Sequence, residues 1–228
     1  MTVFGDLAPD APLEGQTLSA LMTRIGIKPE ATRVALHRLR ADGWIISEKS
    51  GRTSAHSLTS KGRQDSAAAR PRIYGPLDEA RLSAKVVVVP ENGPPLDPAS
   101  YLTIAPNVHM INADTAAPDG ALILDAHAFP AWIGSVLEPE PLRTGYRDLW
   151  TALRGVERDM SALQKLAPID RAAVRVLVVH AWRRLALKHP VLPRAAHTKD
   201  WRGHDCRTTV LKVLEDLPRP ARDALKPT

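Results

Sequence analysis

A single cysteine, Cys206, in 228 residues cannot form an internal disulfide. That excludes a disulfide-stapled secreted scaffold and makes a reducing compartment, the cytoplasm, the expected location. Aromatic residues are few, with two Phe, five Trp and three Tyr. Long apolar runs are missing too: 86–89 is short, and 172–187 is interrupted by Arg175, His180, Arg183 and Arg184, so nothing reaches the ~20 residues of a membrane-spanning helix. The first residues carry Asp6, Asp10 and Glu14 in place of a cationic start and an apolar block, so no secretory signal is expected. What the chain does have is 44% apolar and 25% charged residues, enough for globular cores in one to three domains.

The charge is unevenly placed. Across 17–63 stand Arg24, Lys28, Arg33, Arg38, Arg40, Lys49, Arg52, Lys61 and Arg63, against Glu30, Asp42 and Glu48. The whole formal excess of +6 lies in this segment. A basic domain joined to a neutral body predicts an anionic partner met at the N-terminal end.

Texture divides the chain into three regions, 1–70, 71–140 and 141–228. The first reads as helix, turn, helix, two short strands and helix, with the Arg70-Pro71 step as its boundary. The second holds short β-rich runs at 85–89, 101–104, 108–111 and 121–124, which predict a small sheet. In the third, Leu142, Tyr146, Leu149, Leu153, Val156, Met160 and Leu163 recur at helical spacing. Further helices are predicted from Pro168 to about Lys188 and over 205–216. The fold class is α+β.

Within the basic segment, Leu18, Leu21 and Ile25 mark a short helix ended by Gly26. The next helix, 30–42, places Ala31, Ala35 and Leu39 on an inner stripe, Val34 and Leu36 at its two flanks, and Arg33, His37 and Arg40 on the opposite side. A cationic helix face suits the major groove of B-DNA, where arginine reaches base edges or phosphates. Strands at 43–49 and 53–58, turning at Ser50-Gly51-Arg52, complete a winged helix-turn-helix. The expected DNA contacts are Lys28, Thr32, Arg33, His37 and Arg40 from the helix region, with Lys49 and Arg52 from the wing on the phosphate backbone. Trp44 reads as core at the helix-to-wing junction, and His56 as a strand residue.

These pieces together resemble the PaaX family of bacterial repressors of phenylacetate and related aromatic catabolism. The resemblance is carried by Val3-Phe4-Gly5-Asp6, Gly26-Ile27, the run Arg33-Val34-Ala35-Leu36-His37-Arg38-Leu39, Gly43-Trp44-Ile45, Gly51-Arg52, Leu58-Thr59, Gly62 and Arg72-Ile73-Tyr74. Near the end it is carried by His180-Ala-Trp-Arg-Arg184, Pro190, Leu192-Pro193 and Asp200-Trp201-Arg202-Gly203. It implies a homodimeric repressor of a double-stranded DNA operator, with a ferredoxin-like middle domain, a C-terminal helical domain and an aryl-CoA thioester effector. The middle departs from the family pattern, since 76–126 contains no tryptophan. An effector bound here is therefore expected to be acyl-CoA-like with an aliphatic acyl part.

Other chemistry has little support in the sequence. A metal-dependent nuclease needs converging carboxylates, whereas Asp97, Asp114, Asp119 and Asp125 are scattered. The 197–206 stretch holds His and Cys without the spacing of a structural zinc site, so no metal, cofactor or enzymatic activity is expected. His180, Arg183 and Arg184, at i, i+3 and i+4 of a helix, could hold an anionic effector; the alternative is ion pairing with Glu157 or Asp159. A regulator that has lost its effector and acts through protein contacts is the remaining possibility.

Overall fold

The computed structural model describes residues 1–51 and 53–226, the Ser50 side chain excepted. In chain order the elements are α1 (Thr2–Leu7), β1 (Leu13–Glu14), α2 (Gly15–Arg24), α3 (Pro29–Ala41), β2 (Ile45–Ser50), β3 (Thr53–Leu58), α4 (Ser60–Tyr74), β4 (Ala84–Val88), β5 (Leu102–Ala105) and β6 (Val108–Asn112). They continue as β7 (Leu122–Ala126), α5 (Ala131–Leu137), α6 (Glu140–Arg158), α7 (Met160–Leu163), α8 (Pro168–Ala186) and α9 (Gly203–Asp216). Contacts group the chain into two units. One comprises Met1–Gly75, Leu153–Ala181 and Val210–Thr228, and the other Pro76–Ala152 and Trp182–Thr209.

In the first unit, α2 ends where Gly26 takes φ +78, a left-handed geometry that glycine adopts without steric cost. Its amide and that of Ile27 bond back to the Thr23 and Met22 carbonyls, satisfying the helix end. Pro29 at the first turn of α3 has its φ already set for a helix. The strands β2 and β3 pair antiparallel from Ile45↔Leu58 to Ser50↔Thr53, and β1 adds a third strand beside β3. Thr59 caps α4 by accepting from the Gly62 amide at 2.9 Å. Gly62 lies so close to the Trp44 carbonyl oxygen that a Cβ there would collide with it, which fixes α4 against the wing junction. The core joins Phe4, Leu13, Leu18, Leu21, Ile45 and Leu58 to Ala172, Val176 and Leu225, with Trp44 packed against it. Residues from both chain ends therefore complete the winged-helix core.

A buried ionic knot ties these ends together. Arg175 Nε and Nη2 donate to Asp6 Oδ2 and Oδ1 at 2.8 and 2.9 Å. Its Nη1 donates to the carbonyls of Leu214 and Leu217 at 2.9 and 2.8 Å. Tyr74 donates to Asp6 at 3.0 Å, and Arg219 lies 3.4 Å from the same oxygen. Burial, with the Asp6 carboxylate beside it, holds the Tyr74 hydroxyl protonated well above the ordinary phenol range.

The helix stop expected at Arg70-Pro71 is not observed: α4 continues through Pro71 to Tyr74. Pro71 removes one backbone bond, but buried Ile73, the Tyr74–Asp6 bond and Arg70 stacked 5.5 Å from the Tyr74 ring hold the last turn. The helix expected to reach Leu163 also differs. It breaks after Arg158, and α7 restarts with the amides of Ala162 and Leu163 bonded to the Asp159 carbonyl.

In the second unit the four predicted strands all form, antiparallel, in the order β5-β6-β4-β7. One face of the sheet is covered by Ile133 and Leu137 of α5 with Leu192 and Ala196. The other is covered by Leu96, Tyr101, Ala117 and Ala121, from the connections and their margins. Segments 89–101 and 113–121 carry no helix among the described residues. The edge strand β7 leaves Leu122, Ile123 and Leu124 about half exposed. The scarce aromatics gather elsewhere in this unit: Tyr146 packs against Trp182, His189 and Trp201, and His197 stacks on Trp201. Cys206 is fully buried in this unit, and burial pushes its thiol up to about 12. Ellman's reagent is therefore expected to react with the native chain far more slowly than with the chain in denaturant, because the thiolate is the nucleophile; equal rates would contradict the packing.

Candidate nucleic-acid interface

The elements α2 and α3 with the β2–β3 hairpin place the basic segment as the sequence predicts, but α3 is rotated from the expected setting. Ala31 and Ala35, assigned to the inner stripe, are exposed, while Thr32 is buried and Leu36 and Leu39 pack on the core. Thr32, expected at the DNA surface, is thus turned inward. Its hydroxyl donates to the Lys28 carbonyl one turn back at 3.3 Å, a local bond that lets threonine occupy an inner position.

At about 100° per residue, the side of α3 opposite Thr32, Leu36 and Leu39 is centred on Val34, with His37 and Arg38 on either side of it. Arg33 and Arg40 lie at its margin, and all five are exposed. Val34 is 51% exposed, more than an aliphatic residue with a packing role requires. Sequence reasoning left Arg38 and Val34 out of this exposed face. The signal for them was Thr32, Leu36 and Leu39 at i, i+4 and i+7, obscured by reading alanine as a core residue. Arg33 pairs with Glu30 at 3.0 Å on an exposed surface, an interaction worth little and readily exchanged for a phosphate or base.

Lys28, at the start of α3, and Lys49, on the wing, are both exposed. Arg52 lies outside the described residues. Other cations of the segment are structural: Arg63 donates to the Leu58 carbonyl at 2.7 Å, Arg24 pairs with Asp170, and Lys61 lies 5.8 Å from the Trp44 ring. His56 is buried with Nδ1 2.7 Å from the Ser47 hydroxyl. Burial, aided by Arg40, lowers its pKa, keeping it a neutral strand residue.

The residues suggested for an effector are placed as follows. His180 is exposed in the first unit with Nδ1 3.2 Å from the Thr2 hydroxyl. Arg183 is half-buried and Arg184 exposed, both in the second unit. Of the alternative partners considered for them, Glu157 pairs with Arg154 and Lys212, and Asp159 with Arg158. Among the described residues no group of His, Cys, Asp or Glu could hold a metal ion, and no helix is long and apolar enough to cross a membrane. In the 197–206 stretch, His197 sits against Glu138, the His204 ring against the Leu192 carbonyl, and the Cys206 thiol donates to the Tyr146 carbonyl.

A helix-turn-helix whose second helix shows an exposed cationic face beside a β-hairpin defines a winged-helix protein of the DNA-binding regulator class. A family model described as PaaX-like protein matches residues 1–62, and one described as PaaX-like protein C-terminal domain matches 138–226. The chain is 24% identical over 230 residues to the transcriptional repressor PaaX of Escherichia coli strain K12, covering 87% of this chain and 72% of that protein. This chain belongs to the PaaX-like family, a family of transcriptional regulators and not of enzymes. Residues 63–137, between the two matches, include all four strands of the second unit's sheet.

Proposed function

We propose that the protein is a sequence-specific repressor that binds a partly palindromic double-stranded DNA operator as a homodimer in the cytoplasm. The exposed face of α3 carries this reading. Arg33, His37, Arg38 and Arg40 enter the major groove with Val34, whose methyls suit the thymine C5-methyl group. Lys28, Lys49 and Arg52 lie on phosphates and set the register. Like the Escherichia coli repressor, the chain would act on transcription. An acyl-CoA-like effector, held by His180, Arg183 and Arg184, would release it by binding better to the conformer whose two α3 helices are mis-spaced for successive grooves. The three-part division by sequence is kept. The middle part is read as a ferredoxin-like sheet without its crossover helices, because the order β5-β6-β4-β7 is the one a split βαβ pair produces.

Operator binding is expected to fall steeply with salt, as neutralised phosphates release their counterions, and fluorescence anisotropy across a salt series measures it. A flat response would argue against DNA as the partner. Arg33→Ala in a folded chain is expected to cost about 1–3 kcal/mol of operator affinity if the guanidinium reads a base. The exposed β7 edge supports a second reading, an effector-independent regulator docking another protein there. Thermal-shift screening with CoA thioesters separates the two, since only the first predicts stabilisation.

A further inference from the structure

Beside the wing, and within the first unit, lies a cleft of about 590 Å³ that the DNA reading does not use. This volume is in the range of small-molecule sites. Its floor is Leu13 and Thr17, 3% and 2% exposed, with Ser54, which packs so tightly on Gly15 that a Cβ there would clash. One wall is the wing, carrying Lys49. The other is the turn of 3-10 helix Arg222–Leu225, carrying Arg222 and followed by Lys226. Leu225, 1% exposed, inserts into the winged-helix core, so that wall is anchored.

The electrostatics restrict what the cleft can take. Among the described residues its cations, Lys49, Arg222 and Lys226, are matched by Glu14, Glu48 and Asp223. Lys226 already serves Glu14 and Asp223 at 3.7 and 3.2 Å. A site of balanced charge does not attract a polyphosphate. It can hold one carboxylate between Lys49 and Arg222, with an apolar body over Leu13 and hydroxyls of the floor within reach.

We propose that this cleft is a regulatory site for a small organic monocarboxylate whose binding draws Lys49 away from the DNA backbone. The inference rests on the DNA-binding reading but not on the acyl-CoA one, and it assigns a site apart from the α8 cations. Because Lys49 serves both ligands, occupancy lowers operator affinity, and operator lowers carboxylate affinity by the same factor.

The test uses octanoate and 4-phenylbutyrate as probes, with coenzyme A as the polyphosphate comparison, at constant ionic strength on the full chain. Calorimetry is expected to show saturable binding of at least one carboxylate, weakened about tenfold or more by Arg222→Ala, the scale of a lost charged hydrogen bond. Arg147→Ala, on α6, is expected to leave it unchanged. Anisotropy is expected to show the binding carboxylate weakening operator affinity. Binding of neither carboxylate, binding indifferent to Arg222→Ala, or binding of coenzyme A alone would overturn the proposal. Calorimetry reads the cleft without DNA, so failure of operator binding is told apart from failure of the site. A carboxylate that binds through Arg222 but leaves operator affinity unchanged would overturn the coupling.

Discussion

Asp6→Ala is expected to destabilise the chain by about 3–5 kcal/mol, the cost of leaving a buried charge without its partner. Asp6 is fully buried, and Arg175 is 5% exposed. Without the carboxylate, the Arg175 guanidinium keeps only the Leu214 and Leu217 carbonyls, and Tyr74 loses its acceptor. Since a domain's whole stability is about 5–15 kcal/mol, a large part of the margin goes with this one side chain. Asp6→Asn keeps the shape, removes the charge and should fall between alanine and wild type. Urea denaturation measures each. A midpoint for Asp6→Ala within error of wild type would show that the knot is not what joins α1 to the C-terminal helices. Tyr74→Phe, which removes one bond to a charged group, is expected to cost less, about 1.5–3 kcal/mol.

Val34→Glu is expected to abolish operator binding while leaving the fold intact. The side chain is half exposed, so the change in stability should stay within about 0.5 kcal/mol. A carboxylate there would face the phosphates or base edges at the centre of the reading surface, and juxtaposed like charge costs several kcal/mol. Arg38→Ala, one turn further along the same surface, is expected to lose about 1–3 kcal/mol and to relax specificity at one base position. Both are measured by anisotropy alongside thermal melts. Wild-type affinity in a folded Val34→Glu chain would move the DNA contact off this face.

Much of this surface was legible in the sequence, for local reasons. Gly26, Pro29 and Gly43 punctuate the chain at positions where only short-range geometry matters, and the cationic residues sit on solvent-facing turns whatever the rest of the chain does. The rotation of α3 was not legible, because it depends on how Thr32 satisfies its hydroxyl. A threonine bonded to the carbonyl one turn back can pack as an apolar residue, whereas Ala31 and Ala35 are small enough to tolerate exposure. The buried knot was invisible for a different reason. Asp6 and Arg175 are separated by most of the chain, and periodicity says nothing about such pairs. The same holds for Pro71, where the Tyr74 bond to Asp6 of α1 and Arg219 over the Tyr74 ring override a local helix-breaking tendency. In the middle region, short β-rich runs separated by proline- and glycine-rich connections were enough to find the four strands.

The most direct test of the central claim, that the outward face of α3 reads DNA as one half of a two-fold pair, is selection from a random double-stranded DNA pool with the wild-type chain and Val34→Glu in parallel. The wild type is predicted to enrich an inverted repeat whose half-sites lie about one helical turn, or a multiple of it, apart, and Val34→Glu to enrich none. No enriched sequence for the wild type, or the same repeat recovered by both chains, would contradict it.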